Sequence, residues 1–137
     1  MAVVEELIRS EADGGLSFGN YKLASKAKLE DYKHDGDLLK VKTYNEITKL
    51  EKNGAFLYES VPGTAVTDFQ ESETEVSFIV EGDEDAQLTI GLIEDTDYEV
   101  FVDGESIGIM NTGLGGKLSL SVELAAAEQV EVKIVRQ

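Results

Sequence analysis

Residues 97–111 (DYEVFVDGESIGIMN) restrict the possible folds of this chain more than any other stretch. Apolar side chains alternate through the first part, DYEVFV, and return in the second, SIGIMN. Between the two parts lie Asp103 and Gly104, which tolerate the positive φ angles of a tight hairpin turn. The stretch therefore predicts a β-hairpin, and the dipeptide Asn53-Gly54 predicts a second one.

Alternation of the same kind recurs along the chain. The clearest runs are residues 38–43 (LLKVKT), 76–80 (VSFIV), 88–92 (LTIGL), 117–124 (KLSLSVEL) and 130–135 (VEVKIV). One side of each run is apolar and the other is mainly polar, as in antiparallel strands with one buried face. We expect roughly ten to twelve strands in two packed sheets, because a single open sheet would leave one apolar face uncovered. The pattern predicts an all-β, jelly-roll-like antiparallel β-sandwich that ends in a C-terminal meander.

Three segments fit more than one kind of secondary structure. Residues 3–9 (VVEELIR) fit a short helix or a first strand, and we interpret them as a strand or an arm. Residues 24–33 (ASKAKLEDYK) allow a helical turn. Residues 44–50 (YNEITKL) have apolar side chains three apart, which favours a helical turn, although Ile47 and Thr48 would also suit a strand.

The chain has the length of one domain. A chain of 137 residues buries roughly two thirds of the surface that its unfolded form exposes, which is enough for one core. The single proline, Pro62, lies beside Gly63 and should end a strand because proline lacks a ladder donor. We predict one domain over residues 1–137, with an internal seam near residues 62–63.

The formal net charge is −16, and it is unevenly distributed. Residues 1–62 contain 9 Lys and Arg against 11 Asp and Glu, a net charge of −2, whereas residues 63–137 contain 3 and 17, a net charge of −14. An acidic surface repels nucleic acid and anionic membranes, so we expect neither as a partner. Acidity by itself serves solubility, but the difference between the halves predicts attraction between separate molecules.

Composition also bears on the compartment. The chain contains no cysteine, which excludes disulfides and thiolate chemistry. Its first residues, MAVVEELIRSEADGG, are acidic where a signal peptide has a basic region and an apolar run. No segment approaches the roughly 20 apolar residues of a membrane span. We therefore expect a cytoplasmic protein.

Two acidic loops supply the candidate metal ligands. Hard cations bind several oxygen atoms on a flexible loop, and an imidazole adds affinity for zinc or manganese. The candidate residues are Asp31, His34, Asp35, Asp37, Asp83 and Asp85. Neither loop has the spacing of an EF-hand, and a solvated turn has the same composition, so we predict no bound metal and no cofactor.

The sequence selects no catalytic residue. The single histidine would have to activate a Ser or Thr, and no nucleophile-elbow motif is present. The glycine-rich loop 113–116 is not a phosphate loop, because an alternating strand rather than a helix begins at Lys117. Spacing alone does not single out a pair for glycoside hydrolysis among the 28 acids.

Two stretches carry a family resemblance, residues 51–66 (EKNGAFLYESVPGTAV) and residues 113–124 (GLGGKLSLSVEL). They resemble a group of short bacterial proteins that carry the product name endosialidase. The name implies hydrolysis of a sialic-acid polymer, for which a sialidase-type site clusters arginines around the substrate carboxylate; this chain has Arg9 and Arg136. The closing strands are also similar in pattern to the C-terminal β-domains of polysaccharide-degrading enzymes.

Three functional hypotheses follow. The leading one is a non-enzymatic structural or interaction protein that self-associates into a ring or filament, because open strand edges add strands and unlike halves attract. Residues 2–8 are the candidate arm for this contact. The alternative is a carbohydrate-binding module, in which Tyr21, Tyr32, Tyr44 and Tyr58 would stack on a glycan and the acidic turns would hold calcium. The third is a glycan-degrading, endosialidase-like enzyme.

Overall fold

The computed structural model describes residues 3–137, which form thirteen β-strands in two antiparallel sheets. The seven-stranded sheet contains, in spatial order, β1 (Ile8–Ser10), β2 (Leu16–Phe18), β7 (Ala65–Glu71), β8 (Glu75–Glu81), β13 (Val130–Arg136), β10 (Asp97–Val102) and β11 (Glu105–Asn111). The six-stranded sheet contains β12 (Lys117–Val122), β9 (Ala86–Gly91), β6 (Ala55–Val61), β5 (Thr48–Lys52), β4 (Asp37–Thr43) and β3 (Ala27–His34). No helix in this part of the chain could cross a membrane. The predicted all-β sandwich is confirmed.

The chain passes repeatedly between the two sheets. Strands β3 to β6 are consecutive neighbours in the six-stranded sheet, and β7 and β8 then return to the other sheet. In the C-terminal half the strands are antiparallel, as predicted, and β12 and β13 alternate between buried and exposed residues, whereas β11 is exposed along most of its length. They do not all follow one another in one sheet, however: β9 pairs with β12, and β13 lies between β8 and β10. Each sheet thereby receives apolar strands that cover the other.

Both predicted hairpin turns form. Asp103 and Gly104 have φ angles of 51° and 84°, and Asn53 and Gly54 have φ angles of 52° and 80°. Two successive positive φ angles define the turn whose twist matches the flanking strands. The Asp-Gly and Asn-Gly dipeptides are therefore sufficient to predict where β10 joins β11 and where β5 joins β6.

The helical turns considered for residues 24–33 and 44–50 are wrong. The first segment enters β3, and the second bends and then enters β5. Thr48 lies directly opposite Thr43 on β4, and the two buried hydroxyl oxygens are 2.8 Å apart. Strands β3 and β5 pair with opposite sides of β4. This pairing outweighs the local preference that favoured a helix.

The N-terminal segment packs on its own chain and is not a free arm. Val4 and Ile8 are 1% and 2% exposed, and the N–H of Val4 donates to the carbonyl oxygen of Gly19 at 3.0 Å. Ala2 lies outside the described residues. Of the strand or arm predicted over residues 3–9, only Ile8 and Arg9 lie in a strand, β1, and Val4 and Ile8 belong to the core of the molecule that contains them.

Tyr58 of β6 connects the two sheets at the centre of the core. Its ring makes edge contacts with three rings of the seven-stranded sheet, Phe18, Phe69 and Phe78, with centroids 5.2–6.5 Å away. Its hydroxyl oxygen lies 2.8 Å from Oγ1 of Thr64. Such edge-to-face pairs contribute roughly 0.5–1.5 kcal/mol each beyond the area that they bury.

The chain crosses from β6 to β7 at residues 62–64, the position of the predicted seam. A Cβ atom on Gly63 would collide with the carbonyl oxygen of Tyr44, so only glycine fits there. The hydroxyl of Thr48 donates to the carbonyl oxygen of Thr64 at 2.8 Å, and Ser60 Oγ lies 2.7 Å from Thr64 Oγ1. These buried hydroxyl groups hold the crossing against the six-stranded sheet.

Candidate functional site

Four lysines lie together on the outer surface of the six-stranded sheet, which we call the lysine face: Lys28, Lys40, Lys42 and Lys49. Lys42 lies directly opposite Lys28 on one side and Lys49 on the other. They share this surface because the neighbouring residues on β4, Leu39 and Val41, alternate with them and are buried. By strand spacing, the row of three opposed lysines is about 10 Å wide.

Two of these lysines lack a carboxylate partner in the part of the chain that the structure describes. Lys40 pairs with Glu30 and Lys49 with Glu51, each at 3.6 Å. Among residues 3–137, no carboxylate lies within 4.0 Å of the ammonium groups of Lys28 or Lys42. Like charges directly opposite each other in a sheet are destabilising. The lysine face is therefore a surface that an external anion would stabilise.

A groove of about 370 Å³ lies on the outer surface of the seven-stranded sheet, which we call the hairpin groove. Half-buried Phe101 of β10 and Val135 of β13 give it an apolar surface. Glu99 and Glu131 line it as well, and Gly104 and Lys133 complete the lining. Apolar side chains on an outer sheet surface, bordered by carboxylates, are typical of an interaction site.

The carboxylates of the hairpin groove have no cation of their own. Glu99 accepts a hydrogen bond from Ser106 Oγ at 2.7 Å, which leaves its charge in place. Lys133 is the one basic residue of the lining, and its ammonium group pairs with Glu75 at 3.7 Å. Within residues 3–137, neither Glu99 nor Glu131 has a basic nitrogen within 4.0 Å.

The lysine face and the hairpin groove lie on opposite surfaces and toward opposite sides of the sandwich. Ser10 of β1 hydrogen-bonds to Tyr32 and His34 of β3, which places these two edge strands on the same side. The lysine face is on β3, β4 and β5 at that side, whereas the groove is on β13 and β10, close to the far edge strand β11. One molecule cannot bring the two surfaces together.

Of the four edge strands, β12 is the most regular. Strand β1 has three residues, and the pairings of β3 and β11 with their neighbours shift register. On β11 the shift leaves Ile107 without a partner, and Ile107 and Ile109 are 47% and 61% exposed. Strand β12 pairs with β9 through six successive residues without a shift. Bulges and short edges oppose strand addition, so β12 is the edge best suited to it.

A cavity of about 410 Å³ opens between the sheets at one end of the sandwich. Its lining includes the half-buried ring of Phe56, with the ammonium group of Lys117 at 4.5 Å from the ring centroid. Lys52 and Glu71 pair across it at 2.6 Å. The loop 113–116, which the sequence assigned to a turn, contributes Gly115 and Gly116 to the same lining.

His34 uses both ring nitrogens within its own chain. Nε2 lies 3.0 Å from the carbonyl oxygen of Gly14, and Nδ1 lies 2.8 Å from the hydroxyl oxygen of Ser10. Its nearest carboxylate, that of Asp35, is 3.5 Å from Nε2. A metal ion at this ring would have to replace one of the two hydrogen bonds.

The other candidate metal ligands do not converge. Asp31 is exposed, with a φ angle of 57°. Three candidates contact separate partners: Asp37 with Asn53 (2.9 Å), Asp83 with Lys22 (3.0 Å) and Asp85 with the N–H of Ala125 (3.0 Å). Over residues 3–137, no three His, Cys, Asp or Glu side chains are placed to hold a metal ion together.

The residues that the two glycan hypotheses require are also dispersed. Arg9 on β1 and Arg136 on β13 are four strands apart, about 19 Å by strand spacing. Tyr21, Tyr58 and Tyr98 are buried. Tyr32 and Tyr44 are half-buried. The structure thus brings together neither an arginine cluster nor an exposed tyrosine platform in the residues it describes.

Sequence reasoning missed the two surfaces described above, although both leave a signal. Lys28 and Lys42 lie 14 residues apart, so only the strand register places them opposite each other. Phe101 and Val135 interrupt the alternation of their strands, since each is an apolar residue at an outward position beside Val100 or Ile134. An apolar residue out of phase in an otherwise alternating strand is the signal for such a surface.

Comparison with known proteins gives no relative from which a function could be transferred. No protein-family model, curated protein or solved structure matches the chain. The function therefore has to be argued from the surfaces of the molecule itself.

Proposed function

We propose that this chain is a non-enzymatic structural or interaction protein that associates with copies of itself. The observation that carries the proposal is the lysine face, on which Lys28 and Lys42 lie opposite each other without a carboxylate partner among residues 3–137. The rest of the molecule has a large excess of acids, since the net charge is −16. A second copy of the chain is therefore a ready source of the missing anions.

The contact must join two different surfaces. Two lysine faces repel each other, so the lysine face has to contact an acidic surface of the next molecule. Such a head-to-tail contact leaves one lysine face and one acidic surface free in every dimer. Repetition of the contact closes a ring or continues as a filament.

Strand β12 is the second element that supports self-association. It has a hydrogen-bonded neighbour on one side only, and its six residues keep an uninterrupted register with β9. A strand of this kind can add a strand from a neighbouring molecule through backbone hydrogen bonds. The edge contributes to the assembly, whereas the lysine face gives it its dependence on salt.

Replacement of Lys28 and Lys42 by glutamine tests the proposal. Lys28→Gln/Lys42→Gln removes the two unpaired cations, so we expect the association constant to fall about tenfold or more at low salt. The matched control is Lys22→Gln/Lys52→Gln, which removes the same charge from lysines already paired with Asp83 and Glu71. Analytical ultracentrifugation over a concentration series measures both.

The control variant should retain at least most of the wild-type association. Equal association constants for the two variants would show that the lysine face has no part in assembly. A mass equal to that of one chain for the wild-type protein at every concentration would remove self-association altogether.

The end cavity supports carbohydrate binding as a second candidate. This cavity of about 410 Å³ at one end of the sandwich is lined in part by Phe56, on whose ring a sugar could stack. Lys117 already covers that ring, and the buried tyrosines offer no second stacking surface. A glycan array with and without a chelator tests this function. Signals that Phe56→Ala abolishes would support it, and an array without signals in either condition would reject it.

A further inference from the structure

We infer that the hairpin groove is the acidic surface that receives the lysine face of the next copy. This inference rests on the proposed function, because it identifies the partner surface of the same contact. It depends on the chemistry of the groove, on its dimensions and on its position relative to the lysine face.

The chemistry of the groove matches the lysine side chain. A lysine has an aliphatic stem that packs on apolar surface and an ammonium group that stays near water or an anion. Phe101 and Val135 offer the apolar surface, and Glu99 and Glu131 offer the anions. The ring of Phe101 also presents a π face to an ammonium group.

The two surfaces are comparable in size. Glu99 lies opposite Val135 on β13, and Glu131 lies four residues away from Val135 on that strand, so the two carboxylates are about 14 Å apart by strand rise. The row of three opposed lysines is about 10 Å wide, and the unpaired Lys28 and Lys42 within it lie about 5 Å apart at the backbone. The flexible stems of four methylene groups bridge the difference.

Lys133 does not block the groove. Its ammonium group pairs with Glu75 on β8 and so points away from Glu99 on β10. The backbone of the strands bordering the groove is also held in place: Asp103 accepts a hydrogen bond from the N–H of Glu131 at 2.9 Å. The incoming lysines therefore meet a groove whose backbone is held in place and in which Ser106 Oγ holds the Glu99 carboxylate.

The position of the surfaces determines the form of the assembly. They lie on opposite surfaces of the sandwich and toward opposite sides, so the lysine face of one copy and the groove of the next extend a row of molecules. A pair that closes on itself through this contact alone would need both surfaces on one side. The contact thus predicts open or ring-shaped assemblies rather than isolated dimers.

Two charge-reversal variants, each with one intact surface, test the inference. Glu99→Lys/Glu131→Lys destroys the groove and keeps the lysine face, and Lys28→Glu/Lys42→Glu does the opposite. We expect each variant alone to be monomeric and their equimolar mixture to assemble again, because the intact lysine face of one meets the intact groove of the other and the two reversed surfaces are also opposite in charge. The control, Glu84→Lys/Glu123→Lys, changes exposed acids outside the groove and should assemble like the wild type.

Light scattering coupled to size-exclusion chromatography gives the masses, and circular dichroism shows whether each variant keeps its β-structure. The milder variant Glu99→Gln/Glu131→Gln should weaken association about tenfold or more. It is used in place of Glu99→Lys/Glu131→Lys if the charge-reversal variant unfolds. If the groove variant assembles like the wild type while the lysine variant does not, the inference is overturned and the proposed function stands. A mixture that stays monomeric overturns the inference as well, whereas a monomeric wild-type protein overturns the proposed function itself.

Discussion

Glu81 is the charged side chain that the fold removes most completely from water. It is 4% exposed and accepts a hydrogen bond from the hydroxyl group of Tyr21 at 3.1 Å. Burial raises the pKa of Glu81 above its ordinary value of 4.5, although the hydrogen bond from Tyr21 opposes the rise. Burial and the neighbouring carboxylate in turn raise the pKa of Tyr21 to about 12. The two side chains share this hydrogen bond, and the fold favours the protonated form of both residues.

Glu81→Gln should make the protein less sensitive to pH. Because the folded-state pKa of Glu81 is raised, the folded chain binds this proton more tightly than the unfolded chain does. The protonated carboxyl group therefore stabilises the fold at low pH. This stabilisation is lost as the pH rises above about 4.5 and through the folded-state pKa. A glutamine keeps an acceptor for Tyr21 and carries no charge. The melting temperature of Glu81→Gln relative to the wild type should therefore increase between pH 4 and pH 8, by roughly a few degrees.

Thermal unfolding followed by circular dichroism at each pH measures this difference. Glu84→Gln, at an exposed position three residues along, is the control for the loss of one charge. A difference between Glu81→Gln and the wild type that is the same at every pH would contradict this account of the buried carboxylate.

At the level of the strand and its turn, the β10–β11 hairpin combines a strict turn with an irregular edge. The turn requires positive φ angles at Asp103 and Gly104. Beyond it, Gly108 has a φ angle of 116° and Ile107 is left without a partner on β10. The irregular register protects this edge from strand addition, and it leaves the hairpin groove beside it as a side-chain surface.

Gly104→Ala should destabilise the fold by about 1 kcal/mol because alanine is strained at a φ angle of 84°. Gly115→Ala is the matched control, since a Cβ atom meets nothing within 4 Å at either position and Gly115 does not have a positive φ angle. The control should leave the fold as stable or stabilise it by about 0.4–1 kcal/mol, because alanine restricts the unfolded chain more than glycine does. Urea unfolding measures both variants, and equal effects would show that the turn conformation is not what Gly104 provides.

The sequence predicts the positions of the strands better than it predicts which strands pair with each other. Strict alternation placed β8, β12 and β13, and the Asp-Gly and Asn-Gly dipeptides placed two hairpins, because these signals are local. The pairing of β13 between β8 and β10 depends on contacts between residues far apart in the chain, which alternation does not encode. The lysine face could not be predicted for the same reason, because Lys28 and Lys42 become a pair only through strand register. The burial of Val4 also depends on contacts with distant residues, and no local pattern predicted it.

At the scale of the whole molecule, the fold converts a charge difference along the chain into one across space. Strands β3 to β6, which come from the nearly neutral first half, lie together in the six-stranded sheet. Strands β10, β11 and β13, from the acidic second half, form the far side of the other sheet. A molecule with unlike surfaces on opposite sides has the charge distribution that head-to-tail association requires.

Deletion of the N-terminal residues cannot test self-association separately from folding. Removal of residues 1–10 would delete β1 together with the core residues Val4 and Ile8, so the fold itself would lose stability. Losing two buried aliphatic side chains costs several kcal/mol, of the order of 2–5 kcal/mol each. Surface substitutions on the lysine face and in the hairpin groove avoid this difficulty.

The most direct test of the central claim is the molar mass of the wild-type protein, measured by light scattering across protein concentration and ionic strength. Self-association through unlike charged surfaces predicts a mass that rises with protein concentration at low salt and falls toward the 14.9 kDa of one chain as salt screens the contact. A mass of one chain at all protein concentrations and at every ionic strength would contradict it.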